Sequence, residues 1–200
     1  MRYRPSVRVV VVGATGNIGS SLVDALRAEP RVSSILGVAR RLPDPRPDGV
    51  EYRAADVVTD SLGALFERAD AVVHLAWAIQ PSHDPETLER VNVRGSRRVF
   101  EAAANAGVPA LVYGSSVGAY SAGPKDRPVD ESWPTEGIPT SFYGRHKAAT
   151  ERLLDAFERE RSGTRVIRIR PGLVFKAGAA EEIRRLFLGP LVPTPLLRPN

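Results

Sequence analysis

Tyr143 and Lys147 lie four residues apart, downstream of a Ser115-Ser116 pair that ends an apolar run. A phenol ionises near pKa ~10, so it acts as a base at neutral pH only where something stabilises the phenolate. An ammonium one helical turn along the same face supplies that stabilisation. The chain has 28 basic residues, yet its only lysines are Lys125, Lys147 and Lys176. With so few lysines and 5 tyrosines, chance supplies only about a tenth of one Tyr-x-x-x-Lys match. The spacing points to an acid/base pair with serine hydroxyls close by.

A second constellation stands near the amino terminus. The run Val7 to Val12 is continuously apolar and breaks into Gly13-Ala14-Thr15-Gly16-Asn17-Ile18-Gly19, followed by a helical pattern. A strand of this kind is buried on both faces, as in a parallel sheet. The glycines permit a tight turn and close backbone approach, and a helix N-terminus then offers free N–H groups to a pyrophosphate. A glycine triplet is informative only in such a strand–turn–helix setting.

The elements that must position these residues alternate along the chain. Strands are predicted at about 7–12, 34–39, 50–54, 71–76, 109–115 and 165–170. Helices are predicted at about 17–28, 60–68, 85–105 and 141–161, with a weaker one at 179–188. This alternation predicts an α/β fold, a Rossmann-like doubly wound parallel sheet with helices on both faces. The proline-rich segment 41–49 reads as a loop. So does 121–139, with Thr140 or Ser141 able to cap the next helix. In the helix at 85–105, Leu88, Val91, Val99 and Ala103 form an apolar stripe, and Gly95 allows a close approach. The stretch 186–200 is apolar but holds four prolines, so it is neither a long helix nor a central strand.

At 200 residues with 42% hydrophobic content, the chain can bury one substantial core. It contains no cysteine, which excludes disulfides and thiolate metal sites. His74, His83 and His146 share no ligand spacing, so no metal site is expected. The net charge is +5 and the pI about 10.0. Arginines alternate with acids, as in Glu158-Arg159-Glu160-Arg161, which reads as solvated helix faces and argues against nucleic acid. There is no signal-type segment and no apolar run of membrane-spanning length, so a cytoplasmic protein is expected.

Five motifs stand in one order: a glycine turn after the first strand, Asp56 after the third, Ser115-Ser116 after the fifth, Tyr143-x-x-x-Lys147 on the next helix, and Arg170-Pro171-Gly172 after the sixth. In that order they resemble the extended short-chain dehydrogenase/reductase family, of the NAD-dependent epimerase/dehydratase type, over about residues 7–190. The resemblance implies a nicotinamide cofactor held by Gly13, Thr15, Gly16, Asn17, Ile18 and Gly19. Asp56 and Val57 would border the adenine. The strand-end segment His74-Leu75-Ala76 would pass under the cofactor, with Asn92, Ser115 and Pro171 as further contacts. Ser116 would orient the reacting oxygen and Tyr143 would move its proton. Lys147 would lower the tyrosine pKa and, with Tyr143, contact the nicotinamide ribose. The implied activity is hydride transfer at a hydroxyl or carbonyl carbon of a sugar nucleotide or other small carbonyl, as a reductase or an epimerase.

Departures from the family pattern carry information too. Where an acid commonly ends the second strand, the chain reads Gly37-Val38-Ala39-Arg40-Arg41. Arginine pairs with a 2′-phosphate and cannot accept from two hydroxyls, so NADP is favoured over NAD. Val117 and Gly118 replace the Asp-Glu pair of the sugar dehydratases, which disfavours water loss, and Leu173 replaces the usual asparagine. Trp77 and Trp133 either border a substrate pocket or anchor loops. Relatives continue well beyond this length, so residues 1–175 are expected to form the cofactor domain and 176–200 to open a truncated or reduced substrate-binding region, the substrate domain being largely absent. A homodimer through the helices at 85–105 and 141–161 is also implied. The rival reading is a non-catalytic NAD(P)-binding sensor or interaction module.

Overall fold

The apolar run at Val7–Val12 forms strand β1 and is buried on both sides, as a strand with no polar face must be. Val10 and Val12 enter one core, Val9 and Val11 the other. The structure, a computed structural model, describes residues 6–79 and 83–176. After β1 come α1 (Asn17–Ala28), β2 (Val32–Ala39), β3 (Glu51–Ala54), α2 (Gly63–Phe66) and β4 (Ala71–His74). Then follow α3 (Pro85–Glu89), a π-helical turn (Arg90–Arg94), α4 (Gly95–Asn105), β5 (Ala110–Gly114), α5 (Phe142–Glu160) and β6 (Arg165–Ile169).

All six strands are parallel, in the order β3-β2-β1-β4-β5-β6. The winding reverses between β1 and β4, and that crevice at the carboxyl ends of the strands is where ligands of such sheets bind. Helix α1 covers one face through Leu22, Val23 and Leu26. The other face is covered by Phe66 of α2, Val99 and Phe100 of α4, and Leu154 and Phe157 of α5. The expected doubly wound parallel sheet is therefore present.

Several predicted boundaries shift, each for a local reason. The helix expected at 60–68 contracts to α2 because residues 56–60 make their own turn: Asp60 Oδ2 accepts from Asp56 N (2.8 Å), and Arg98 donates to Val57 O and Asp60 O (both 2.7 Å). Arg68, two residues past the end of α2, lies in the left-handed region, at φ 58°. The helix expected at 85–105 exists, but a π-helical turn interrupts it. There Asn92 O accepts from Ser96 Oγ (2.6 Å) and Thr150 Oγ1 of α5 (3.4 Å), side-chain bonds that compete with the helical ladder. Leu88, Val99 and Ala103 are fully buried, and Val91 is half-buried. A Cβ at Gly95 would meet Val57 Cγ2 at 2.7 Å, so the close approach expected at this glycine is real.

Ser141, the second of the two expected caps, receives Gly144 N on its hydroxyl (3.2 Å) and starts α5. The loop before it is pinned by Ser121 N to Pro134 O (2.7 Å), Gly137 N to Ala119 O (2.9 Å) and Trp133 Nε1 to Ser121 O (3.3 Å). Trp133 thus anchors the loop. The helix expected at 179–188 and the stretch 186–200 lie outside the described residues.

Candidate active site

The glycine turn is shaped by what it lacks. Gly13 sits at φ +91°, and a Cβ there would fall 2.5 Å from Ala76 N and 2.8 Å from Leu75 C. A Cβ at Gly19 would collide with the Gly13 carbonyl. These two glycines let β1, the start of α1 and the end of β4 meet backbone to backbone, with Leu75 N donating to Val12 O (2.7 Å), while Gly13 N ties the turn to Val38 O of β2 (2.8 Å). Gly16 differs: a Cβ there would have only the Gly13 carbonyl near it, at 3.4 Å. Gly16 is exposed and N-caps α1 without a side-chain bond, so the first amides of α1 face outward with no intrahelical partner. Thr15 and Ile18 are exposed on the same turn. This cradle fits a dinucleotide pyrophosphate in both shape and polarity.

Arg40 follows the last residue of β2, exposed, and β2 pairs with β1 right up to the glycine turn. Asp56 Oδ1 accepts from Val58 N (2.8 Å), and Val57 is buried against Gly95. The residues expected on the adenosine side therefore sit past the ends of β2 and β3, on the same edge of the sheet as the glycine turn.

The residues expected to do acid/base work gather past the end of β5. Ser116 closes the strand and turns into a short 3-10 segment, its Oγ accepting from Gly118 N (3.1 Å). Tyr143, in the first turn of α5, lies against that segment: a Cβ at Gly118 would meet Tyr143 Cε1 at 3.0 Å. Lys147, one turn on, is only 3% exposed. It donates to Gly114 O at the end of β5 (2.7 Å). Its ammonium lies 3.5 Å from the centre of the Trp77 ring and 5.8 Å from that of Tyr143. Burial lowers the Lys147 pKa to about 7, with the Glu151 charge pushing the other way. Trp77 also meets Tyr143 edge-on at 5.9 Å, so one indole borders both residues of the pair.

Two expected cofactor residues are turned toward the protein. Ser115 gives its hydroxyl proton to Glu151 Oε1 (2.5 Å). Asn92 clasps the Ala78 backbone with both ends of its amide, accepting from Ala78 N (2.7 Å) and donating to Ala78 O (2.8 Å). Asn92 thereby fixes the segment that carries Trp77. His74 is fully buried, its Nε2 paired with Ser96 Oγ (2.8 Å). Burial, then the Lys147 charge, lowers its pKa to about 3, so it is a neutral core residue.

Glu151 was not singled out by its sequence context, although Tyr143, Lys147 and Glu151 share one spacing and one face of α5. It is 1% exposed. Arg170 grips it bidentately, Nε to Oε1 at 2.8 Å and Nη2 to Oε2 at 3.0 Å, and Arg168 Nε stands 3.0 Å from Oε2. Burial favours the neutral acid, but the bonds from Arg170 and Ser115 and the charges of Arg170 and Arg168 outweigh it and hold the carboxylate low. One carboxylate thus joins the ends of β5 and β6 to the helix carrying Tyr143 and Lys147. Pro171 O accepts from Val117 N (3.0 Å), which brings the post-β6 segment to the Ser116 turn.

Two shallow depressions, of about 300 and 430 Å³, lie at the amino-terminal ends of the strands, around Val32 and Asp48 and around Arg8 and Asp70. Neither includes a residue of the crevice.

A parallel sheet whose winding reverses beside a glycine turn defines a Rossmann-type dinucleotide-binding domain, and the Ser116, Tyr143 and Lys147 cluster lies past the next strand but one. The chain belongs to the NAD dependent epimerase/dehydratase family, whose model matches residues 9–188. It is 30% identical over 186 residues to L-arabinose 1-dehydrogenase (NAD(P)(+)) of Haloferax volcanii, covering 88% of this chain and 70% of that protein. It is 36% identical over 164 residues to UDP-glucose 4-epimerase of Mycolicibacterium smegmatis, covering 76% and 51%. Among solved structures, UDP-glucose 4-epimerase of Thermus thermophilus in complex with NAD matches at TM-score 0.72 and 29% identity, over 82% of this chain and 54% of that one. The chain spans about half the length of several relatives it matches.

Proposed function

We propose that this chain carries the cofactor and acid/base half of an NAD(P)-dependent oxidoreductase or epimerase acting on a hydroxyl or carbonyl carbon. The observation that supports it best is the packing of the Ser116 turn on Tyr143, with Lys147 buried one helical turn behind. A nicotinamide, when bound, supplies or takes up the hydride. Ser116 Oγ already accepts from Gly118 N, which leaves its own proton free to hold a substrate oxygen. Tyr143 gives or takes the proton on that oxygen. Lys147, anchored on Gly114 O, contributes positive charge beside the phenol. Glycines 13, 16 and 19 with the first turn of α1 hold the pyrophosphate.

Sugar nucleotides and other small carbonyl compounds are the proposed substrates, consistent with the arabinose dehydrogenase and UDP-glucose epimerase among the relatives. Preference for NADP over NAD belongs to the same proposal and rests on Arg40. So do the division into a cofactor domain at 1–175 and a substrate-binding region opening at 176–200, a cytoplasmic location, and a homodimer through the helices at 85–105 and 141–161. No described helix is long and apolar enough to cross a membrane. A monomeric mass by light scattering would remove the dimer.

Calorimetric titration of the 200-residue chain with NADPH and NADH, beside a Gly16→Asp variant, tests the cofactor site. The structure tolerates a Cβ at Gly16, so the added carboxylate acts by repelling phosphate. Saturable binding that Gly16→Asp abolishes supports the reading, and binding of neither cofactor defeats it. Binding with no turnover of any sugar nucleotide or aldose, even when the full-length relatives turn over under the same conditions, favours the sensor alternative.

A further inference from the structure

After β6 the chain turns back across the open end of the sheet. Pro171 O takes Val117 N beside the Ser116 turn. Val174 O accepts from Asn17 Nδ2 (3.2 Å), at the first residue of α1. Lys176 Nζ then donates to Ser20 Oγ (2.7 Å), in the first turn of the same helix. Strands β4 and β5 lie between β6 and β1. Residues 171–176 therefore span the crevice from the acid/base end to the glycine turn, along the line a dinucleotide would follow.

This path delivers an ammonium to the N-terminus of α1, where the unpaired amides and the helix dipole favour anions and disfavour a cation. Among the described residues no carboxylate compensates it. The first turn of α1 has no acidic residue, and no described carboxylate forms an ion pair with Lys176. Ser20 Oγ, itself donating to Gly16 O (2.9 Å), holds the ammonium one hydroxyl away from the N-cap of the glycine cradle. Two sources of positive potential converge on a turn whose middle glycine, Gly16, is exposed and would have only the Gly13 carbonyl near a Cβ, at 3.4 Å. A diphosphate, with a charge on each phosphate, satisfies both.

We propose that Lys176 contacts the cofactor diphosphate, so that residues 171–176 form a clasp over the dinucleotide opposite the α1 amides. This rests on the reading of the chain as a nicotinamide-cofactor domain and adds to it a residue outside the glycine turn.

The test is equilibrium titration of the 200-residue chain with NADH, NADPH and ADP-ribose at low and high salt, for the wild type, Lys176→Met, Lys176→Arg and Ser20→Ala. Lys176→Met should weaken all three ligands about tenfold at low salt, with a smaller loss at high salt. Lys176→Arg should retain most of the affinity, and Ser20→Ala should lose less than Lys176→Met. Wild-type affinity in Lys176→Met, while Gly16→Asp still abolishes binding, overturns the clasp and leaves the cofactor site standing. Equal losses in Lys176→Met and Ser20→Ala, insensitive to salt, make the lysine an anchor of the segment and also overturn it. Absence of binding by the wild type defeats the underlying reading, and the clasp with it.

Discussion

The two halves of the crevice are built in opposite ways. At the glycine turn, β1, α1 and the end of β4 meet through backbone atoms, and the residues that matter are those without a side chain. At the other half, the ends of β5 and β6 are tied to α5 by buried side chains, with Glu151 joining Ser115, Arg168 and Arg170 in one network. The first half is shaped by steric exclusion, which is local. The second is held by paired charges in a place where an unpaired charge is costly. Substitutions should therefore damage the two halves by different routes.

The largest effect is expected at Gly13. Valine there combines a disfavoured positive φ with a Cβ pressed on Ala76 N, and should destabilise the fold by about 3–5 kcal/mol. Urea unfolding measures this. Gly16→Asp, on the same turn, should remove cofactor binding and leave the unfolding midpoint nearly unchanged. If Gly16→Asp unfolds the chain as Gly13→Val does, the turn is structural throughout and the contrast between those two glycines fails.

Glu151→Gln should be next, at about 3 kcal/mol, because it leaves the half-buried Arg170 guanidinium facing a fully buried neutral amide. Arg168 keeps Asp155 and Glu158 as partners (2.8 and 2.7 Å), which limits the loss. Chemical denaturation of the variant checks it, and a cost below about 1 kcal/mol would mean that the network behaves like a surface ion pair.

The same contrast explains what could be read in the sequence. An apolar run ending in glycines carries its own explanation, and β1, α1 and the glycine turn fall where they were predicted. Helix α5 begins one residue inside its predicted start because its cap, Ser141, is itself a sequence signal. The turn at Arg90–Arg94 was not legible, because the bond that loosens the ladder comes partly from Thr150, distant in sequence. Glu151 could have been suspected from its spacing to Lys147, but its partners arrive from β5 and β6 and exist only after the sheet has formed. The indole over Lys147 depends likewise on Asn92 holding Ala78, a pairing that no local pattern announces.

Lys147 sharpens the comparison through pH. Its folded pKa is about 7 because burial disfavours the ammonium, whereas in the unfolded chain it titrates near ~10.4. Between those values the unfolded state binds a proton that the folded state lacks, so stability should rise with pH, by up to ~1.4 kcal/mol per unit. Below about 7 both states are protonated, and the cost of burying the charge is fully present. Lys147→Met should flatten that slope. Urea unfolding at pH 7, 8 and 9 should show the wild type gaining on the variant as pH rises, and parallel profiles would mean that the ammonium is better solvated than its burial implies.

The smallest effect is expected where the cofactor half does use a side chain. Arg40 is exposed past β2, so Arg40→Asp should leave stability within about 0.5 kcal/mol. Its consequence should lie in selectivity. Losing a charge-assisted pair with a 2′-phosphate, and gaining an acceptor for ribose hydroxyls, should shift the NADPH/NADH affinity ratio about tenfold or more toward NADH. Competitive titration of the two cofactors measures that ratio. An unchanged ratio would remove the ground for preferring NADP.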